Sequence, residues 1–460
     1  MKTNILLLVI FALCITSCDK KEKDVEEEMN YAILSGTLQN LGDEKVQLYG
    51  NLDVSGTLDI ASDGTFTDTI QLSQDGYFKL RAGYMDISFF VSKGDHITFS
   101  ADVASPDTLP IFSGKSAPIQ EYIAAKEKKQ QELTGDFELF FGQEPETFIS
   151  AITTFAENQH KNLEVSTLPE SFKRIEKRAI ELGQIDLKSN YSGYQKYLAD
   201  GEDVVPEEYL TDFIALDKDN EEEAKQHKVY RDLVMSNIMN TIEAKKDSIT
   251  PYLEQIVDQL EALKSPTIKD YGVGDMLFLF SPSEGDVHAM KDRLLALSSK
   301  EKTKERIITR YDKIKTLTKG QPSPAFNYEN FKGGETALND LKGTYVYIDV
   351  WATWCGPCIG EIPYLKELEH KYEGKNIEFV SISVDTKDDY QKWRKMVTKK
   401  ELGGTQLMAD NAFSSTFIDA YAINAIPRFI IIDPEGNIVN ADATRPSNFA
   451  IESKLDALLK

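Results

Sequence analysis

The sequence has few of the residues from which metal sites and disulfide-rich scaffolds are built. Of its 460 residues, four are cysteine and five are histidine. These numbers exclude a disulfide-dense scaffold and a zinc module with the usual Cys and His ligand set. The sequence also lacks an excess of positive charge, because it has 52 Lys and Arg residues but 75 Asp and Glu residues, a net charge of −23. We therefore expect no nucleic-acid partner, because the phosphate backbone would be repelled.

A hydrophobic run long enough to cross a membrane is missing from the N-terminus. The apolar residues 5–15 follow Lys2 and are too few to span a hydrocarbon core of roughly 30 Å as a helix. A basic start, a short apolar run and small residues before a cleavage site are typical of an export signal. Residues 15–18 resemble the lipobox of bacterial lipoproteins, which implies removal of residues 1–17 and lipidation of Cys18. The alternative is an ordinary signal peptide.

The remaining sequence divides into four segments, which predict a multidomain protein. Residues 18–30 are almost wholly charged and are typical of a solvated tether. Residues 31–115 carry short β-branched and aromatic runs between Gly-containing turns, which predict an antiparallel β-sandwich. In residues 116–318 apolar side chains recur every three or four positions, which predicts helices that pack in a core or form a partner-binding groove. Residues 319–460 begin with a Pro- and Gly-containing linker and then alternate strand and helix patterns, which predicts an α/β domain.

Two cysteines with two residues between them dominate the chemistry of the last segment. A strand pattern runs into WATWCGPC, and a helix is predicted to begin at or near Cys355. A thiol at that position faces backbone N–H groups and the positive end of the helix dipole, which stabilise a thiolate. We expect Gly356 to let the backbone turn, and Pro357 to fix φ without needing an N–H partner. His370 stands alone, so a zinc ribbon lacks its second ligand pair, and we predict redox chemistry of Cys355 and Cys358 without a metal or cofactor.

This segment resembles the thioredoxin superfamily and, more closely, its TlpA/ResA-like thiol–disulfide oxidoreductases. The resemblance rests on WATWCGPC, on Pro363 five residues after the second cysteine, and on YAINAIP, which ends at Pro427. It implies a thioredoxin fold and a redox-active disulfide. Cys355 would attack a substrate disulfide, and the less exposed Cys358 would resolve the mixed disulfide. Residues 31–115 loosely resemble the β-rich accessory domain found ahead of such domains in lipoproteins of Bacteroidetes-type bacteria.

The same resemblance implies a substrate-binding surface around the cysteines. A cis Pro427 would lie against the disulfide and leave the backbone of Ile426 free to pair with substrate as an extra strand. Arg428 is expected to present a cation beside this groove, unless it is a surface arginine with no role. The predicted substrate-binding residues are Trp354, Gly356, Pro357, Ile426, Pro427 and Arg428.

Resolution of the mixed disulfide requires a proton acceptor. Cys358 must lose its proton in an apolar setting, so we expect a carboxylate nearby. Asp349, six residues before Cys355, matches the position of a buried aspartate in thioredoxin, and Glu361, three residues after Cys358, matches a glutamate of ResA-like members. Both residues are candidates at this stage. For Glu361 the alternative is a first-turn glutamate that complements the helix dipole.

The combined interpretation is an exported, membrane-anchored protein-disulfide reductase, because a CGPC pair resembles the reducing end of the family. We expect it in the periplasm or at the outer membrane of a Gram-negative cell envelope. Its expected partners are disulfide-containing exported proteins and a membrane electron donor. One alternative is a surface-binding lipoprotein whose front domains engage a partner. The other is a peroxiredoxin-like peroxidase, because an insertion after residues 381–385 is shared with peroxiredoxins.

Overall fold

The computed structural model describes residues 30–50, 55–199, 207–245, 250–282 and 286–460. The chain divides into two compact units, residues 1–129 and 130–460. The predicted signal peptide, Cys18 and the tether up to residue 29 lie outside the described residues. Among the helices of the described ranges, none is both long and apolar enough to cross a bilayer.

In the first unit, alternating apolar residues build short strands with one buried face. In the strand 76–82, for example, every second residue is buried. The elements are β1 (Tyr31–Gln39), β2 (Val46–Gly50), β3 (Ser55–Leu58), β4 (Thr65–Gln71), β5 (Gly76–Ala82), β6 (Met85–Val91), β7 (His96–Asp102), β8 (Ile111–Ser113) and the start of α1 (Ala117–Thr134). The strands form two four-stranded sheets, β4-β1-β7-β8 and β3-β2-β5-β6. Buried residues of both sheets belong to one hydrophobic cluster.

One strand pairing differs from the predicted antiparallel arrangement. Strand β1 runs parallel to β7, with Ile33 opposite His96, although its other neighbour, β4, is antiparallel. Parallel neighbours need a long crossover connection, and here the strands of the second sheet lie between β1 and β7 in sequence and supply it. Turn spacing could not reveal this pairing, because turns report only on strands that follow one another.

Helix α1 is joined to the edge of the second sheet by a buried amide. Gln120 accepts a hydrogen bond from the backbone N–H of Phe90 at 2.9 Å and donates one to the Phe90 carbonyl at 2.7 Å. The Gln120 side chain is fully buried. Strand β6 is the last strand of its sheet, so Gln120 supplies at Phe90 the hydrogen bonds that a further strand would otherwise make.

The second unit begins with helices whose apolar stripes are buried. The helices are α2 (Phe137–Phe141), α3 (Pro145–Val165), α4 (Glu170–Ala199), α5 (Thr211–Ile214), α6 (Glu221–Gln226), α7 (Lys228–Lys245), α8 (Tyr252–Ala262), α9 (Pro266–Met276), α10 (Val287–Leu297) and α11 (Glu301–Ile314). The stripe of Val234, Ile238 and Ile242 on α7 is entirely buried. These residues therefore pack in a core, and they do not line an open groove.

The helices are followed by a seven-stranded mixed sheet and its covering helices. The elements are β9 (Asn327–Asn330), β10 (Glu335–Ala337), β11 (Tyr345–Trp351), α12 (Gly356–Lys371), β12 (Ile377–Ser383), α13 (Tyr390–Lys399), β13 (Thr405–Met408), α14 (Thr416–Ala420), β14 (Arg428–Ile432), β15 (Ile438–Asn440) and α15 (Ala450–Leu458). The sheet order is β10-β9-β13-β12-β11-β14-β15. Strand β11 lies inside this sheet, parallel to β12 and antiparallel to β14. The alternation of strands and helices predicted for this region is confirmed.

The helices and the sheet of the second unit share one hydrophobic core. A single cluster contains Ile307 and Ile314 of α11, Ile348 and Val350 of β11, and both cysteines. Each fully buried aliphatic side chain contributes about 1.5–3 kcal/mol through removal of its surface from water. The helical residues therefore stabilise the sheet that carries the cysteines.

Replacement of Gln120 by Ala should destabilise the first unit by about 2 kcal/mol, because two buried hydrogen bonds to Phe90 are lost. The measurement is native-state hydrogen exchange of the buried β1 amides, which reports the free energy of opening this unit. Glu121→Ala, at an exposed position of the same helix within the first unit, is the matched control and should leave that free energy unchanged. Equal exchange in both variants would contradict the role of the Gln120 amide.

Candidate active site

The cysteine pair lies where an internal strand ends and a helix begins. Strand β11 ends at Trp351, and Cys355 is the N-cap residue of α12. Its Sγ accepts a hydrogen bond from the backbone N–H of Cys358 at 3.1 Å. Pro357 lies in the first helical turn, where its missing N–H costs nothing. The predicted helix start at the first cysteine is confirmed.

Cys355 and Cys358 form a disulfide, with their Cα atoms 5.3 Å apart. Both residues are only 4% exposed, so the predicted difference in exposure between them is absent from the oxidised state. The disulfide joins the N-cap residue of α12 to a residue in the first turn of the same helix. Trp354 beside them is 58% exposed and approaches the ring of Phe413, with 6.3 Å between the ring centroids.

Gly356 does not have the role that its sequence position predicted. It is the first residue of α12, its φ lies outside the left-handed region, and a Cβ at this position would meet no atom within 4 Å. The turn therefore does not require glycine. Gly356 and Pro357 are exposed, so the glycine leaves open space on the exposed side of the disulfide turn.

The proline segment lies beside this turn. The Ile426–Pro427 peptide bond is cis, as predicted. Arg428 pairs with Val350 across the antiparallel strands β14 and β11, so Pro427 lies next to the end of β11, where the chain turns toward Cys355. Ile426 and Pro427 are half-buried.

Arg428 is not the exposed cation that the sequence predicted. Its side chain is 7% exposed and forms an ion pair with Asp442, with 2.9 Å between Nη1 and Oδ2. The residue belongs to a strand that is buried throughout, so its guanidinium points into the protein and not toward a substrate groove. A preference for acidic substrates does not follow from this residue.

Asp349 is a buried carboxyl on an internal strand. It is 8% exposed and lies between Ser381 of β12 and Phe429 of β14. Burial, together with the charges of Glu361 and Glu369, raises its pKa to about 8, and a hydrogen bond from Ser381 opposes the shift. Such a group exchanges a proton near neutral pH.

Glu361 is buried as well, but its carboxylate is already engaged. One oxygen accepts from the backbone N–H of Ser447 at 2.9 Å, and the other accepts from the Ser447 hydroxyl at 2.8 Å. Arg445 lies 3.7 Å from the same carboxylate. These contacts orient the Glu361 carboxylate toward residues 445–447. Glu361 is therefore more than an exposed glutamate that complements the helix dipole.

A third carboxylate near the cysteines, Asp385, was missed by sequence reasoning. It is 1% exposed and accepts hydrogen bonds from the Thr353 N–H at 3.0–3.1 Å, from the Thr353 hydroxyl at 2.8 Å and from the Ser383 hydroxyl at 2.7 Å. Asp385 thus fixes the residue two positions before Cys355. The sequence signal for Asp385 was an acidic residue two positions after the end of the buried strand β12. Carboxyl ends of parallel strands lie at one edge of a sheet, so an acidic residue there can be expected near the end of β11.

Glu369 also escaped the sequence analysis, although it lies on the same face of α12 as Glu361. A narrow cavity, about the size of one water molecule, is lined by Asp349, Glu369, Lys366 and Gly403. Burial raises the pKa of Glu369 to about 7, while the charge of Lys366 opposes this shift. A Cβ at Gly403 would lie 2.3 Å from the Glu369 carboxylate, so a larger residue there would displace the end of the Glu369 side chain.

Comparisons with known proteins agree with this geometry. Residues 319–441 match the AhpC/TSA family. ResA thiol-disulfide oxidoreductases of Bacillus thuringiensis (strain Al Hakam) and of a Bacillus cereus strain are 30% and 31% identical over 122 residues, or 26% of this chain and 66% of each relative. A protein from Bacteroides vulgatus with a known solution structure, provisionally named a thiol-disulfide oxidoreductase, is 52% identical to this chain in the matched region. The match covers 30% of this chain and 90% of the Bacteroides vulgatus chain. Its TM-score of 0.28 is too low to support any structural argument.

A redox disulfide at a helix start, a cis proline beside it and these relatives define a thioredoxin-like oxidoreductase domain. More specifically, the C-terminal part of the chain is similar to the ResA thiol-disulfide oxidoreductases, in agreement with the TlpA/ResA-like resemblance of the sequence. The chain spans just under two thirds of the length of the two ResA relatives named above. The family match begins at residue 319, so the upstream residues lie outside it.

Replacement of Asp349 by Asn should stabilise the protein at high pH and leave its stability unchanged at low pH. The folded-state pKa of about 8 lies above the ordinary value of 3.8, so the folded state holds a proton that the unfolded state releases. Stability is therefore full below pH 4 and falls as the pH rises to about 8, by up to about 5 kcal/mol. Asn mimics the protonated carboxyl and avoids this loss. Unfolding by denaturant at pH 4 and pH 9 measures the difference, and an equal effect at both values would contradict the burial argument.

Proposed function

We propose that this protein is an exported, membrane-anchored reductase of disulfides in exported proteins. The observation that carries the proposal is the Cys355–Cys358 disulfide at the start of α12, beside a cis proline and directly after the strand β11, which carries a buried carboxyl. Each part has a function in dithiol–disulfide exchange: the helix start stabilises a thiolate, the proline segment offers a backbone edge, and the carboxyl accepts a proton.

The reaction begins with the reduced enzyme. The Cys355 thiolate attacks one sulfur of the substrate disulfide, the substrate S–S bond breaks, and one substrate thiolate leaves. A mixed disulfide between Cys355 and the substrate remains. Cys358 then gives up its proton and attacks the Cys355 sulfur, which releases the second substrate thiolate. The substrate has gained two electrons, and the enzyme is left with its internal disulfide.

Asp349 fits the role of proton acceptor better than Glu361. Asp349 has a pKa near 8, so it exchanges a proton in the range where Cys358 must be deprotonated. Both oxygens of Glu361 already accept hydrogen bonds from Ser447, and Arg445 lies 3.7 Å from the same carboxylate, so Glu361 is engaged away from the cysteines. The cavity toward Glu369 gives the proton on Asp349 a path to a half-exposed carboxylate.

The wider assignment rests on sequence features. Lipidation of Cys18 after removal of residues 1–17 anchors the protein in the cell envelope, in the periplasm or at the outer membrane of a Gram-negative bacterium. An exported reductase must be reduced again, so a dithiol donor in the membrane completes the cycle. The two sheets of residues 31–113, which share one cluster of buried residues, form a β-sandwich accessory domain.

Loss of the Asp349 carboxyl should slow resolution of the mixed disulfide by about 10²-fold, because general-base catalysis contributes 10²–10⁴-fold. In the wild-type enzyme the rate of this step should rise with pH through about 8, as Asp349 loses its own proton and becomes able to accept another. In Asp349→Asn that rise should disappear. Stopped-flow measurement of single turnovers with a fluorescent disulfide peptide follows this step.

The matched control is Glu361→Gln, which removes the other candidate carboxyl. We expect it to keep the pH-dependent rise but to move it below pH 8, because the charge of Glu361 no longer raises the pKa of Asp349, and to lower the rate less than Asp349→Asn. The reverse order of the two variants would assign proton acceptance to Glu361.

A Cys358→Ser variant should accumulate the mixed disulfide, because a hydroxyl at this position cannot displace Cys355 from the substrate. Expressed with its native N-terminus, this variant should form covalent adducts with exported proteins that dithiothreitol releases. The adducts can be separated on non-reducing gels and identified by mass spectrometry.

The control for trapping is the double variant Cys355→Ser, Cys358→Ser, which lacks the attacking sulfur and should form no adducts. Reductase activity toward exported proteins is refuted if the single variant forms no adducts either. Cys18→Ala tests the anchor separately, since it should release the protein from the membrane fraction and leave disulfide exchange in solution unchanged.

A further inference from the structure

Arg310 of α11 connects the helical part of the second unit to the segment that leads to the cis proline. Its guanidinium donates from Nη1 to the carbonyl of Ala422 at 2.6 Å. From Nε and Nη2 it donates to the carbonyls of Phe280 at 2.6 Å and Phe278 at 3.1 Å. One buried side chain thus holds two backbone stretches that are far apart in sequence.

Ala422 lies just after the end of α14, where its N–H donates to the Asp419 carbonyl at 2.9 Å, and Arg310 adds a contact to its carbonyl. Its φ is +51°, in the left-handed region that non-glycine residues rarely adopt, so its backbone conformation is unfavourable unless its surroundings hold it. The hydrogen bond from Arg310 fixes the Ala422 carbonyl in the orientation that this conformation gives it. Ala422 begins the stretch of residues 422–427 that ends in the cis proline, so its orientation sets where Ile426 lies.

A second set of contacts holds the other end of the same stretch. Asp442 accepts a hydrogen bond from the Ser281 hydroxyl at 2.5 Å and forms the ion pair with Arg428 described above. Ser281 directly follows Phe280, which is itself bound by Arg310. Residues 278–281 of the helical part are therefore linked to Ala422 through Arg310 and to Arg428 through Asp442.

The charged guanidinium of Arg310 is buried, which is unfavourable for a charged group. Burial, together with the charge of Arg428, lowers the pKa of Arg310 to about 10, while Asp442 opposes the shift. Arg310 is 9% exposed, and its hydrogen-bond acceptors in these contacts are backbone carbonyls. An apolar side chain would fill this position without the burial of a charge. What the arginine adds is the orientation of three carbonyls.

We propose that Arg310 is a positioning residue for substrate binding, through which the helical part of the protein holds residues 422–428 so that the Ile426 backbone can pair with an extended disulfide-containing peptide. The proposal rests on the proposed reductase function. It assigns to the helical residues a function in recognising the peptide backbone around the target disulfide, in addition to their place in the core.

The test compares a peptide substrate with a small disulfide that has no backbone to pair. Arg310→Met should raise KM for a synthetic disulfide-bridged peptide by about tenfold, the effect of losing one good hydrogen-bonding interaction. Reduction of 2-hydroxyethyl disulfide should change by less than about twofold, because this substrate has no peptide backbone to pair with Ile426. Arg310→Lys keeps a charged donor and should give an intermediate KM for the peptide.

The matched control is Lys313→Met, on the same helix. Lys313 forms an exposed ion pair with Asp419 at 2.5 Å, and its loss should leave both substrates unaffected. Equal losses toward both substrates in Arg310→Met would show general damage to the active site and overturn the proposal, as would an unchanged KM for the peptide. Should Arg310→Met fail to fold, Ser281→Ala gives a milder test and should raise KM for the peptide only.

A separate measurement distinguishes failure of this proposal from failure of the reductase function. Hydrogen exchange of the Ile423 amide, which donates to the Ile418 carbonyl at 3.0 Å, needs no substrate and should be faster in Arg310→Met than in wild type, but not in Lys313→Met. If the wild-type protein reduces no disulfide, the reductase function fails, and faster exchange still supports the positioning role. Unchanged exchange overturns the positioning role whatever the activity.

Discussion

A carboxyl group buried in an internal strand constrains the whole active site. Asp349 occupies a position on β11 where its neighbours on both adjoining strands exclude water, so its charged form is strongly disfavoured. Glu361 and Glu369, two turns apart on α12, add negative charge on the same side. The site therefore holds a proton at neutral pH that a more exposed aspartate would have lost. Disulfide exchange needs such a group, because a buried thiol must lose its proton before it can act as a nucleophile.

The turn that carries the cysteines is supported from two directions. Asp385 binds Thr353 from the end of β12, and the start of α12 provides the backbone N–H that binds Cys355. Neither contact depends on the residues before 319. The proline segment differs, since Arg310 and Ser281 from the helical part hold it. The sheet and α12 therefore support the chemical step, and the helical part contributes to the placement of the peptide.

Much of the C-terminal region could be predicted from sequence, because its signals are local. The apolar run of β11, the CGPC pair and the prolines at 357 and 427 each determine their neighbours' conformation within a few residues. The helical stripes were also correctly interpreted as core. Predictions that depended on which elements become neighbours were less successful. Arg428 was expected at the surface because it follows Pro427, but Asp442 and the adjoining strands enclose it. The parallel pairing of β1 with β7 went unpredicted for the same reason.

By itself, the sequence determined where the helix begins at Cys355, which cysteines can form a disulfide, and which faces of the helices are buried. These features follow from backbone preferences and side-chain periodicity over one or two turns. Only the tertiary structure decided the pKa of Asp349, the partners of Glu361 and Arg428, and the contact between Arg310 and Ala422. Each of these depends on burial and on charges or carbonyls brought together from distant parts of the chain, and neither burial nor such proximity exists until the chain has folded.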